Sequence, residues 1–458
     1  MIVQQKQAWI FLVWLLAAMT HSPAKETEAA LPPAGESVAG EQTEEAGPAA
    51  WWSALDWRWG GHVKGRGSIQ WPSESSYFAA ESTDPLRDGA LEFRLKNELY
   101  LGRRLKLETH YEFLLTGGDS RRRSVRLSET DPLLGSWARA QIQPPDDRRR
   151  FLDLTAVVHD GEGHIIYHRL DRLALAWQPD WGFVRVGRQA VTWGNGMLFN
   201  PLDLLNPFAP TDVERDYKVG DDMVSVQIPA EWGDFQFLAV PRRDPETRAT
   251  GWNESSVAGK WHLNAGTTDL DLQLARHYRD VVVGVGSVGY LGRTAWRLDA
   301  TWTFLNNAAR RDGFLALVAN LDYSWVWWKK NLYGYLEFHY NGLGADEYLL
   351  AALDPALLVR VERGELFTVG RYYLDGMIQA EVHPLVNLYA TAIVNLADLS
   401  GIVQPRAVWS AGQNLQLTCG ANLVWGETGT EFGGIPLPFT EYTTRAPAGV
   451  YVWLTYFF

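Results

Sequence analysis

Val450-Tyr451-Val452-Trp453-Leu454-Thr455-Tyr456-Phe457-Phe458 closes the chain. Successive side chains of an extended strand point to opposite faces, so Val450, Val452, Leu454, Tyr456 and Phe458 share one face. That face is apolar along its length and ends in aromatics. It suits a strand sealing a membrane barrel, with its outer side in lipid and its last residues in an interfacial aromatic girdle. A buried strand at the end of a soluble domain carries the same pattern, so the rest of the chain has to decide.

The other end agrees with the barrel. Lys6 precedes an apolar run from Ala8 to Met19, and Ser22-Pro23-Ala24 puts small residues where a signal peptidase reads. This pattern predicts a secretory signal peptide over residues 1–24; the run is shorter than the about 20 residues a membrane helix needs. Residues 25–50 carry Glu26, Glu28, Glu36, Glu41, Glu44 and Glu45 against Lys25 alone, with no apolar period. They read as a disordered acidic tail on the periplasmic side. Residues 51–458 remain for the barrel. The terminal Phe458, with apolar residues at alternate positions before it, resembles the last strand of Gram-negative outer-membrane barrels. The resemblance implies that barrel-insertion machinery reads this strand, and that the protein sits in the outer membrane against lipid and lipopolysaccharide.

Composition narrows the class. No later stretch reaches about 18 consecutive apolar residues, so helical spans are not expected. The chain has 22 Trp, 18 Tyr and 18 Phe, a load suited to interfacial belts. A formal charge of −12 argues against nucleic acid as a partner. Cys419 is the lone cysteine, so no internal disulfide forms.

The dominant period is two. Leu91, Phe93, Leu95, Leu99 and Leu101 alternate with Glu92, Arg94, Lys96 and Glu98; Trp296, Leu298, Ala300, Trp302 and Phe304 alternate with Arg297, Asp299, Thr301 and Thr303. Eighteen such segments run from 55–70 to 446–458. They predict an all-β, transmembrane antiparallel β-barrel of about eighteen strands. Connections near 280 and at 397–401 are short where a long loop is expected, which keeps sixteen strands as the alternative. Elsewhere short turns alternate with long loops, at 71–87, 117–163, 193–220, 242–254, 344–364 and 428–445. That asymmetry is expected of an outer-membrane barrel.

One loop stands apart. Residues 193–220 are dense in Gly, Pro and Asn yet apolar at Met197, Leu198, Phe199, Leu202, Leu204, Leu205 and Phe208. A solvent loop would not favour that; a loop folded into the lumen against the wall would. Gly187, Arg188 and Gln189, followed by Trp193 and Gly194, resemble the strand end and Trp-Gly turn of porin-like barrels, including the alginate-export group. The resemblance implies an inward-folded loop that narrows the channel. The expected constriction comprises Arg185, Arg188, Gln189, Trp193, Asn195, Asp203, Asp212, Glu214 and Asp216. Parity sends Arg185 inward with Gln189; it sends Arg188 outward with Val184 and Val186 unless a bulge turns it. Arg94, Lys96, Lys106, Arg297, Asp299, Asp322 and Arg371 are the expected lumen lining, mixed in sign. The arginines of 117–150 suit either lipopolysaccharide phosphate or steering of anionic solutes.

Chemistry-bearing patterns are sparse. His159-Asp160-Gly161-Glu162-Gly163-His164 lacks zinc spacing and reads as a solvated turn, and the carboxylates at 212–222 lack the order of a calcium loop. No metal, cofactor or catalytic set is expected. The leading reading is a channel for hydrophilic solutes, or for export of a polar polymer, through a lumen narrowed by loop 193–220. A non-conducting barrel acting as scaffold for a periplasmic or surface partner is the alternative, and a rim-site hydrolase the second.

Overall fold

The alternating segments pair in chain order. The computed structural model describes residues 55–131, 134–205, 217–306, 311–351 and 354–458. In it, β1 (Leu55–Trp71), β2 (Leu86–Leu101) and β3 (Leu105–Gly118) form a meander, followed by short β4 (Thr155–Asp160) and then β5 (His164–Trp177), β6 (Phe183–Gln189) and β7 (Asp221–Ala230). The sheet continues with β8 (Gly233–Val240), β9 (Ser256–Ala265), β10 (Thr268–His277), β11 (Asp280–Leu291), β12 (Thr294–Phe304) and β13 (Gly313–Trp327). It ends with β14 (Lys330–Asn341), β15 (Tyr372–His383), β16 (Val386–Asn395), β17 (Gly401–Ser410), β18 (Leu415–Trp425) and β19 (Ala448–Phe457).

The last strand closes the sheet: β19 pairs with β18 and also with β1, from Trp71↔Ala448 to His62↔Phe457. Strand β3 pairs directly with β5, while β4 lies on the other edge of β5 against Ile165–Arg169, beyond the end of seven-residue β6. Eighteen antiparallel strands therefore form the closed barrel and β4 is an added strip. The sixteen-strand alternative falls away because the two short connections are genuine turns. They are made by left-handed residues, Tyr278 at φ 53° after β10 and Leu399 at φ 57° before β17.

Parity sets the faces. On β19, Val450, Val452, Leu454 and Tyr456 are 44–50% exposed, whereas Tyr451, Trp453 and Thr455 are 5–7% exposed. On β11, Val281, Val283 and Val285 point out and Val282 points in. Closing the ladder pairs the spanning strands around the whole ring, the condition for crossing lipid with strands. Trp327 and Trp328 sit at the tight β13–β14 turn on the short-turn rim, where the positive φ of Trp328 and Lys329 matches the twist of a two-residue hairpin.

The long loops are more ordered than their composition suggests. Segment 117–163 holds α1 (Asp119–Thr130), α2 (Gly135–Ile142) and β4. Asp119 begins α1 and pairs with Arg122 one turn on at 3.0 Å. Leu127 packs with Tyr77, Leu134, Ala138 and Leu437, so three loops share one small core. Segment 344–364 holds α3 (Tyr348–Ala351) and α4 (Pro355–Glu362), the latter capped by Asp354 with Pro355 at its first position. The signal-peptide and acidic-tail readings, and Asp212, Glu214 and Asp216, lie outside the described residues.

Candidate functional site

Loop 190–205 leaves β6 and runs along the inside of the wall. Gln189 is buried and ties the exit by donating to the carbonyls of Arg185 and Met223. The Trp193 indole N–H donates to Gln236 Oε1 at 2.7 Å on β8. Its ring joins Leu205, Met223, Leu238, Val240, Ala258, Ala275 and Val282 in an apolar cluster on the inner face of β7–β11. Asn195 reaches β12, its backbone N–H 2.6 Å from Asp299 Oδ2 and its Nδ2 2.9 Å from Oδ1, with a longer bond to Asp271 on β10.

The loop then meets β14. Three consecutive amides, of Met197, Leu198 and Phe199, donate to the Glu337 carboxylate at 2.6–3.0 Å. Glu337 also accepts from Asn320 Nδ2 at 3.0 Å and is fully buried. Hydrogen bonds to a charged group contribute about 1.5–3 kcal/mol each, so this cradle is a strong anchor. Beyond it, Phe199 packs among Val318, Tyr373, Ile393 and Ile402, reaching strands β13 to β17. Its ring stacks on His339 at 4.3 Å between centroids.

The wall is shaped to receive the loop. Gly284 and Gly286 occupy inward positions on β11; a Cβ at Gly286 would lie 2.8 Å from Asn195 Nδ2 and 2.9 Å from Leu202, and one at Gly284 would collide with Leu202. The returning chain fastens to the opposite wall. Tyr217 donates to Glu92 Oε1 at 2.5 Å, and the Arg94 guanidinium lies 3.5 Å from the Tyr217 ring centroid. Lys218 pairs with Asp203, its carbonyl accepts from Arg172, and the Gly220 N–H donates to Asp171. The described parts of 193–220 thus touch both sides of the lumen.

That second wall is a basic arc holding its own acids. Arg94 pairs with Glu112 and Asp171 and contacts His110; Arg169 pairs with Glu112, Arg172 with Asp171, and Arg185 with Glu108. Across the lumen, the arc from β10 to β15 carries Asp271, Asp299, Asp322, Glu337 and Asp375. Arg94, Glu112 and Glu337 are buried, whereas Lys106 and Arg297, nearer the short-turn rim, keep 25% and 21% of their side chains accessible. Lys106 pairs with Glu98 at 2.7 Å and Arg297 with Asp322 at 2.6 Å; half-buried Lys96 belongs to no ion pair among the described residues.

Two expected site residues lie elsewhere. Arg188 keeps the parity of Val186, and its partner Asp222 that of Val224, so both leave the inner face. Arg188 is nonetheless 1% exposed, because segment 147–152 covers it. It bonds Asp222 at 2.9 Å, Asp147 at 3.1 Å and the Leu152 carbonyl at 2.7 Å. Burial pushes the Asp147 carboxyl up, but the Arg150 hydrogen bond and the Arg188 and Arg150 charges outweigh it and hold it below the usual carboxylate range. Arg371 precedes β15 at the long-loop mouth, bound to the Gly344 carbonyl and Asp346. The loop arginines are largely committed to bracing: Arg121 to Asp160, Arg123 to three carbonyls, and Arg149 to Glu362. His159 and His164 stack at 4.7 Å across the β4–β5 turn.

Parity alone would have singled out Glu337 as inward-facing, but not as the loop's anchor. The paired glycines of β11 are the sequence signal for a segment pressed against that strand.

No known family model and no curated protein matches the chain. Among solved structures it is similar to OccAB1 of Acinetobacter baumannii, at 7% identity and TM-score 0.48, covering 87% of this chain and 96% of that one. It is similar to a BenF-like porin from Pseudomonas fluorescens Pf-5 at 8% identity and TM-score 0.49, covering 88% and 98%. It is also similar to Wzi of Escherichia coli, described as a carbohydrate-binding outer-membrane barrel involved in group 1 capsule assembly, at 10% identity and TM-score 0.48, covering 88% and 84%. Nothing about solute or activity follows at such values; the chain's own geometry carries the assignment. Its closed sheet, apolar outer band and unequal rims place it in the outer membrane.

Proposed function

We propose that the chain is a porin-like channel passing hydrophilic solutes through a lumen that loop 193–220 narrows. The observation that carries this reading is the cradle of three successive loop amides on the buried Glu337 carboxylate. Such a cradle fixes the loop at depth rather than over the mouth. The basic arc of β1–β6 faces the acidic arc of β10–β15, so a solute slipping past the loop crosses a transverse field suited to polar molecules. Transport of this kind needs no covalent chemistry. Deleting residues 197–216 should raise single-channel conductance in planar bilayers; an unchanged conductance would remove the loop from the channel path.

The burial of inward side chains at the loop's depth favours one other reading, a non-conducting barrel that serves as scaffold. Purified wild-type protein that inserts into bilayers without passing current would support the scaffold over the channel.

A further inference from the structure

Between loop 192–204, the inner faces of β10–β14 and the segment 360–368 lies a cavity of about 370 Å³. This is the lower end of the range for small-molecule sites, roughly 300–1,000 Å³. We propose that it binds a small, neutral, polyhydroxylated solute the size of a single sugar ring. The proposal rests on the channel reading, because it names the solute class held against the narrowing loop.

The charged groups in the lining already face opposite charges, although Glu365 Oε1 and His277 Nε2 make no hydrogen bond among the described residues. Lys218 pairs with Asp203, and Arg360 with Asp280. Glu365 lies 3.2 Å from His277 Nε2 and within 3.6 Å of Arg360 and Arg363. A charged solute would have to compete with the hydrogen-bonded Lys218–Asp203 and Arg360–Asp280 pairs, and separating either strands a buried charge, which is costly in a low-dielectric site.

Neutral hydrogen-bonding capacity remains open. Asn341 is 1% exposed; its Oδ1 accepts from the Leu343 N–H at 3.0 Å, while its buried Nδ2 has no partner among the described residues. His339 Nδ1 lies 3.2 Å from the Leu317 carbonyl, which only accepts, so Nδ1 carries the proton and Nε2 is left as an acceptor. Thr301 and Thr303 add hydroxyls on the inner face of β12. Phe199 and Phe314 supply apolar surface. A purely apolar guest would leave the Asn341 donor unsatisfied. A sugar ring offers C–H faces to the aromatics and hydroxyls that both donate and accept.

The test uses purified full-length protein in planar bilayers, with D-glucose, D-glucuronate and D-glucosamine added in turn on the long-loop side. Glucose should interrupt the current at a half-effect concentration at least tenfold below either charged analogue. Asn341→Ala and Thr303→Val should each raise that concentration at least fivefold. Equal or stronger block by a charged analogue, indifference to both variants, or no block by any of the three overturns the proposal. A variant that fails to fold leaves the wild-type selectivity to decide. Should wild-type protein pass no current, the channel reading fails. Calorimetric titration of the same three compounds into detergent-solubilised protein then decides the cavity separately.

Discussion

Single residues carry much of the internal order. Glu337 accepts from three loop amides and one side-chain amide, so removing its carboxylate strands buried donors at about 1–3 kcal/mol each. Glu337→Ala should therefore release loop 193–205. Backbone hydrogen exchange at Met197, Leu198 and Phe199 should accelerate at least tenfold, and Glu337→Gln, which keeps one carbonyl oxygen, should fall between. Unchanged exchange in Glu337→Ala would show that Phe199 and Asn195 hold the loop alone. Asp147 works the same way outside the membrane. It bonds Arg150 and Arg188 and accepts from the Leu154 N–H at 2.8 Å. Its carboxyl titrates lower in the folded than in the unfolded chain. The stability it contributes is thus present above the unfolded value, about 3.9, and is lost as pH falls through the folded one. Exchange of amides 147–154, corrected for intrinsic rates, should rise only below that range. A rise beginning near neutrality would assign the cluster's stability to another group.

At the scale of elements, strands were legible and their packing was not. A strand face needs only its own alternation, so all eighteen barrel strands are readable one at a time. Strand β4 is not, because six residues become a strand only by pairing with the free edge of β5. The loop's apolar content, Met197 through Leu205, indicated burial, but which wall buries it depends on contacts between residues more than a hundred positions apart. Arg188 shows the reverse limit: parity gave its outward face, and only segment 147–152 explains its burial. The informative element is β11, whose inward glycines admit the loop. Gly286→Val should displace Asn195 and Leu202, since even a Cβ there approaches them to 2.8–2.9 Å. The expected result is a larger, noisier single-channel current with the barrel still folded. Unaltered current would mean that the loop has room to yield.

The whole molecule depends on two solvents and one closure. Its outside is apolar along the spanning strands, its inside sets networks of paired charges beside the apolar clusters that hold the loop, and β19 completes the ring with Phe458 bonded to Gly61 and set beside Phe93 and Trp59. Because the faces differ by one residue of register, a charge should be tolerated or rejected by parity alone. Val452, near the middle of β19, pairs with Gly67 and Cys419 on the lipid side and is 47% exposed; neighbouring Thr418 on β18 points inward and is buried. Arginine in the hydrocarbon midplane costs about 2–4 kcal/mol, falling toward the interfaces. Val452→Arg should therefore lower barrel stability by about that amount. Gln416→Arg, inward on β18 where the lumen is wetter, should change it by less than about 1 kcal/mol, the ordinary range for partly exposed polar sites. Refolding both variants into phosphatidylcholine bilayers across a urea series, with folded barrel scored by electrophoretic mobility, gives the two values. Equal losses would mean that the two faces do not meet different solvents, and the membrane-spanning assignment of β18 and β19 would fall with that result.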